Sequence, residues 1–367
     1  MVPNPGLEGV VVAETNISLV DGLNGKLVYR GHWAKDLAIR HTFEEVAHLL
    51  WYGFLPNHSE LHRLAQSFKK YRFLDADTKQ LLHQLPRELD IMSAVRTAIS
   101  SLGHRYQAWP PTEEDALKLT AMVPTVIAYH YRRQKGWNVI EPHPELDHIS
   151  NYLYMLNGEV PGEALVKALS AYFILTMEHG MNASTFSARV VLSTQSDMVS
   201  AICAAIGAMK GPLHGGAPSE VVNMLNEIGS KERAETWIRN HLENGHRLMG
   251  FGHRVYKTRD PRAEALKEVI QKMDAKDPWL DLASYVEDLA IKLLEEYKPG
   301  RRLYTNVEFY AAAMMRAISL PMELFTPTFT ASRMVGWTAH VIEQGLNNRI
   351  FRPQSAYVGL MPGESMG

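Results

Sequence analysis

Beyond the first 30 residues, apolar positions recur every three or four residues, the spacing of helices with one buried face. Leu61, Leu64, Ala65 and Phe68 predict a helix that starts near Ser59. Leu282, Val286, Leu289, Leu293 and Tyr297 mark one face of another, which Pro299-Gly300 stops. Thr42-Phe43-Glu44-Glu45 reads as a capping box ahead of Val46, Leu49 and Leu50, and Gly53 and Pro56 end that helix. The N-terminal residues follow a different pattern. Val10-Val11-Val12, Ile17 to Val20 and Leu27-Val28-Tyr29 are short β-type runs, with turn signals at Asp21-Gly22 and Asn24-Gly25. The expected fold is therefore all-α with a short β-hairpin region near the N-terminus. Helices this numerous do not form one simple bundle, so two helical lobes flanking a cleft are expected.

The chain has 367 residues, about two domains' worth at roughly 150 residues each. No internal repeat or low-complexity linker divides it. A hydrophobic share of 46% and a charged share of 21% are those of a soluble globular protein. The net charge of −2 and a pI near 6.8 argue against a nucleic-acid partner. No run of about 18 apolar residues predicts a membrane span. The longest apolar stretch, Ala164 to Gly180, is interrupted by Lys167 and Glu178. Met1-Val2-Pro3-Asn4-Pro5 lacks the basic and apolar regions of a signal peptide. The one cysteine, Cys203, sits in an apolar run and is expected to be a buried, inert thiol, which suits a cytoplasmic protein.

Four segments carry candidate chemistry. In Gly250-Phe251-Gly252-His253, two glycines precede a histidine, and Arg254, Lys257, Arg259 and Arg262 follow within nine residues. The glycines permit positive φ and close approach to a ligand. The basic residues suit carboxylates or phosphates. Gly211-Pro212-Leu213-His214-Gly215-Gly216 fixes a sharp turn around His214, expected to present backbone N–H groups as an oxyanion site needs. Glu178 to Thr185 breaks an apolar helix with small and polar residues around His179. Tyr304-Thr305-Asn306-Val307-Glu308 places one carboxylate among apolar neighbours, where burial raises a pKa into the range of a general base. Taken alone, Glu308 reads more readily as an exposed first-turn glutamate favoured by the helix dipole. His58 and His62 share a helix face but have no third ligand, so a solvated face is the better reading and no metal is expected. No Walker A loop or dinucleotide fingerprint occurs.

In this order and spacing the segments resemble the citrate synthase family, in its shorter bacterial and archaeal form. The likeness runs from Gly6-Leu7-Glu8-Gly9-Val10, Asp21-Gly22 and Tyr29-Arg30-Gly31 to Arg349-Ile350-Phe351-Arg352-Pro353. It implies a large helical domain, residues 1–215 and 320–367, that forms a homodimer. A small domain, residues 216–319, closes over the cleft. The implied reaction joins acetyl-CoA to oxaloacetate and hydrolyses citryl-CoA to citrate and CoA, with no permanent cofactor. His214 resembles the histidine that bonds the thioester oxygen, and His253 the one that polarises the oxaloacetate ketone. Arg262, Arg333 and, from the other subunit, Arg352 resemble the family's carboxylate clamps. His179 and Phe329 match further substrate-site positions. Gly250, Gly252 and Lys257 fall where the family binds the CoA nucleotide.

One position departs from that pattern. The family's base is an aspartate, and this chain has Glu308. The extra methylene moves the carboxylate by roughly 1 Å, a shift that can cost ~10²-fold in rate, about 2.7 kcal/mol. The backbone can have adjusted and kept activity, with Asn-Val-Glu as a subtype mark. Alternatively the pocket is reshaped for propionyl-CoA, giving 2-methylcitrate, or catalysis is lost and the chain is a ligand-binding regulator.

Overall fold

The computed structural model describes residues 4–253, 255–273 and 278–362. Arg254 and Met1 to Pro3 lie outside the described residues. Among the described residues sixteen α-helices, three short 3-10 helices and one small sheet account for the regular structure. The all-α expectation holds, and most of the helix signals fall where the sequence puts them. Thr42 and Glu45 form the reciprocal cap of the helix Phe43–Tyr52, and Gly53 ends it at φ 90°. The second helix is His58–Tyr71, capped by Asn57 one residue earlier than the apolar spacing indicates. The helix Pro278–Tyr297 stops ahead of Gly300, as expected.

The sheet is a three-stranded antiparallel meander of β1 (Ser18–Asp21), β2 (Lys26–Tyr29) and β3 (His32–Trp33). Leu19 pairs with Val28, and Val28 with Trp33. The Val10 to Val12 run forms no strand. β-branched residues alone do not make a strand; it needs an edge to pair with, and Val11 is 87% exposed with none beside it.

The core is organised around the helix Phe325–Leu346, which is buried along nearly its whole length. It packs on Glu113–Gln134, Ala183–Ser193 and Met198–Met209. It is buried on every side, Arg333, His340 and Gln344 included, which is why no amphipathic stripe reveals it. Gly336 shows how closely it packs: a Cβ there would lie 2.2 Å from the Met177 carbonyl oxygen. The helices Pro261–Lys272 and Val307–Ala317 pack on each other and on Glu163–Thr176. That arrangement brings the loops before both helices to the end of Glu163–Thr176, beside residues 177–182. No helix among the described residues is long and apolar enough to cross a membrane.

Candidate active site

The site is built where four loops meet at the ends of these helices. Residues 250–252 run antiparallel to 304–306. Gly252 N–H donates to the Tyr304 carbonyl at 2.7 Å and Asn306 N–H to that of Gly250 at 2.9 Å. The Asn306 side chain donates to the Gly252 carbonyl at 2.8 Å and also caps the helix that begins at Val307, accepting from Glu308 N–H. This ladder joins the loop of His253 to the first turn that carries Glu308. Gly250 and Gly252 take φ of +83° and +77°. A Cβ at these positions would meet Phe309 and Leu303, each at 2.9 Å. Packing against these two side chains therefore requires glycine at both positions.

His253 is fixed by its own loop. Its Nδ1 accepts from the Val255 and Tyr256 N–H groups, each at 3.0 Å, so the neutral ring carries its proton on Nε2, which lies 3.3 Å from Arg262 Nη2. Burial, helped by the Arg262 charge, lowers its pKa to about 4, so the ring is neutral at pH 7. Arg262 is buried and doubly bonded to Asp260, Nε to Oδ1 at 3.0 Å and Nη2 to Oδ2 at 2.8 Å. Asp260 Oδ2 also accepts the Val307 N–H at 3.0 Å, a second tie to the helix of Glu308. Burial pushes the Glu308 carboxyl up to about 7 against the pull of Arg262, and Asp260 adds to the rise. Glu308 is half-buried in the first turn, so both readings of the sequence meet in one residue.

The other wall holds His179, His214, Phe329 and Arg333. The helix before His179 ends at Thr176, and the next starts at Ala183 with Asn182 as its cap. His179 Nε2 lies 3.1 Å from the Tyr256 hydroxyl, and its ring meets that of His253 edge to face at 5.7 Å. Burial and then the Arg262 charge hold it well below its usual pKa. His214 Nε2 is 2.8 Å from Ser184 Oγ, which accepts the Trp337 indole N–H at 2.9 Å. Burial, with Arg333, lowers the His214 pKa to about 4. The Phe329 ring packs edge-on to His214 at 6.3 Å, and the Arg333 guanidinium lies 4.8 Å from the Phe329 ring centre. The oxyanion expectation for the turn is corrected: the His214 and Gly215 N–H groups both donate to the Gly211 carbonyl, so the turn uses them itself.

A buried polar chain supports this wall. Arg189 donates to His340 Nδ1 from Nε at 3.0 Å and from Nη2 at 2.8 Å, which makes His340 Nε2 the donor to Glu178 Oε1 at 3.0 Å. Arg189 also pairs with Glu343. Burial alone would raise the Glu178 carboxyl, but His340, Arg333 and Ser18 hold it below its usual pKa. Glu178 is thus held as a carboxylate within reach of the Arg333 charge. Arg333 Nε itself donates to the Thr176 carbonyl at 2.6 Å.

Some expected residues lie elsewhere. Lys257 is exposed on the same loop, its N–H bonded to the Gly22 carbonyl at 2.8 Å. Arg352 is exposed in a groove formed with Arg189, Glu343 and Arg349, not among the site residues of its own chain. His58 and His62 are exposed, and no metal-holding cluster exists among the described residues. Cys203 is half-buried rather than buried, and burial pushes its thiol up to about 11, which leaves little thiolate. Ser184, Tyr256 and Asp260 escaped sequence reasoning as site residues. Asp260 had a usable signal, an acidic residue two positions before Arg262 and just ahead of a proline.

Sequence comparison settles the family. The citrate synthase, C-terminal domain model matches residues 6–354. The chain belongs to the citrate synthase family. It is 39% identical to the citrate synthase of Haloferax volcanii, over 96% of this chain and 95% of that one. It is 41% identical to the 2-methylcitrate synthase of Mycobacterium tuberculosis, over 98% and 92%. The citrate synthase of Thermoplasma acidophilum, solved as a ternary complex with carboxymethyl coenzyme A and oxaloacetate, superposes with a TM-score of 0.90 at 30% identity, covering 99% of this chain and 97% of that one. Citrate synthase membership makes the chain a transferase that condenses an acyl-CoA with oxaloacetate.

Proposed function

We propose that this citrate synthase family member condenses acetyl-CoA with oxaloacetate and hydrolyses the citryl thioester. The observation that carries the reading is the ladder between residues 250–252 and 304–306. It sets a neutral Nε2–H donor and a carboxyl near pKa 7 on adjoining segments. Glu308 removes a proton from the methyl group of acetyl-CoA, and His214 stabilises the oxygen of the enol that forms. His253 Nε2–H polarises the oxaloacetate ketone for attack. Arg262 and Arg333 bind its carboxylates, joined by Arg352 of the partner subunit in a homodimer. His179 and Phe329 complete the oxaloacetate and acyl sides, and Gly250, Gly252 and Lys257 mark the CoA side. Closure of the 216–319 domain over the cleft excludes water until condensation is done.

Thiol release with both substrates tests the reaction; no CoA above an acetyl-CoA blank would overturn it. The relatives named 2-methylcitrate synthase make propionyl-CoA the competing acyl donor. We expect a higher kcat/KM with acetyl-CoA, and a strong propionyl preference would reassign the substrate.

The pH profile follows from the same groups. Glu308 acts as base only when ionised, so kcat/KM is expected to fall as pH drops through about 7. His214 and His253, near 4, stay neutral across that range and contribute no break. A profile flat from pH 6 to 8 would exclude Glu308 as the titrating base.

A further inference from the structure

The β1–β2 hairpin lies between the two walls of the site and touches both. On one side Ser18 Oγ donates to Glu178 Oε1 at 2.8 Å, and Tyr29 hydroxyl donates to the Glu178 carbonyl at 2.8 Å. Gly180 lies close under Val20, where a Cβ would sit 3.1 Å from Val20 Cγ2. On the other side the turn between the strands meets the loop that follows His253. The Gly22 carbonyl accepts the Lys257 N–H at 2.8 Å. A Cβ on Gly22 would lie 2.2 Å from the Val255 carbonyl oxygen, and one on Gly25 2.7 Å from Thr258 Cγ2. The residues touched here, Val255 to Lys257, include both amides that hold His253 Nδ1. They also include Tyr256, whose hydroxyl meets His179.

We propose that the turn at residues 21–25 positions the His253 loop, with Gly22 docking on the Val255 to Lys257 backbone so that Nε2–H points at the oxaloacetate ketone. This rests on the reading of His253 as the group that polarises oxaloacetate. Gly22 has no positive φ, so its lack of a side chain answers to the contact and not to the turn's own conformation. The strands behind the turn are anchored by buried Ile17, Leu27 and Tyr29, so the turn is a fixed surface against which the loop settles. Gly22 is a positioning residue: it touches no reacting atom and acts through the histidine.

The test is Gly22→Ala in the full chain, with Leu23→Ala as control, since Leu23 is 78% exposed. An undocked loop must be reordered by the substrate itself. KM for oxaloacetate is therefore expected to rise about tenfold or more with a much smaller change in kcat. Amide hydrogen exchange at residues 255–257 is expected to quicken in Gly22→Ala, while the melting temperature and the Leu23→Ala values stay near wild type. A merely structural role would lower the melting temperature and leave KM unchanged. Unchanged KM overturns the proposal, whether or not exchange quickens. If Gly22→Ala does not fold, Thr258→Ala loosens the neighbouring contact of the same turn, that of Gly25, from the loop side. It is expected to raise KM in the same direction, and an unchanged KM again overturns the proposal. If the wild type itself releases no CoA, the functional reading fails. Exchange at 255–257, and its slowing by added oxaloacetate in wild type but less so in Gly22→Ala, then decides the docking separately.

Discussion

Replacing Glu308 by glutamine is expected to remove condensation, by about 10³-fold in kcat, while oxaloacetate still binds. The substitution keeps the side chain's volume and removes its capacity to take a proton. The helix cap is unaffected, because Asn306 accepts from the backbone N–H of residue 308 and not from its side chain. Nothing in the Asn306 to Gly252 ladder depends on the carboxylate either. Loss of thiol release together with undiminished oxaloacetate binding by calorimetry is the expected pair of results. Near-full activity in Glu308→Gln would show that another group is the base. Glu308→Asp then measures the cost of the methylene. A slower Asp variant means that the backbone has adapted to glutamate; a faster one means that it has not.

Arg262→Leu is expected to damage both fold and binding. Asp260 is buried and its two oxygens face Arg262, so removing the arginine strands a charge. Breaking such a pair costs about 3–5 kcal/mol. Urea unfolding measures that loss, and calorimetry measures the loss of oxaloacetate binding. The two effects separate in the double variant Asp260→Asn/Arg262→Leu, which removes the stranded charge. Much of the stability is expected to return, and the binding is not. If the double variant binds oxaloacetate as wild type does, Arg262 is not a carboxylate clamp.

Local chemistry was readable where it stays local. The Thr42 to Glu45 box, the stop at Gly53 and the Gly-Pro breaks around His214 depend on residues a few positions apart, and these fall as the sequence implies. The β-type run at Val10 to Val12 fails because strand formation needs a partner that no local pattern supplies. The helix Phe325–Leu346 is hidden for the opposite reason: burial on all sides removes the polar face that marks a helix. Within the site, His253, Arg262 and Glu308 are visible as residue types in an ordered pattern, but their pKa values are not. Those come from neighbours far along the chain, such as Arg333 beside His214. Ser184 is invisible for the same reason, since a serine gains its role only from what it meets. Gly250 and Gly252 are legible as positions that need glycine, but the packing against Phe309 and Leu303 that also needs it is not.

The ladder between residues 250–252 and 304–306 has a mechanical consequence. Its hydrogen bonds, with Asp260 reaching to Val307, tie His253 and Arg262 to the first turn that carries Glu308, so the proposed polarising histidine, clamp and base would move as one part. His214, Phe329 and Arg333 belong to the opposite part. If the cleft opens along the proposed boundary, the base leaves the thioester's histidine at the same instant that the ketone leaves half of its carboxylate clamp. Deprotonation and carbonyl activation are then interlocked like two contacts on one switch, so a half-open enzyme cannot generate an enolate with no electrophile to meet it.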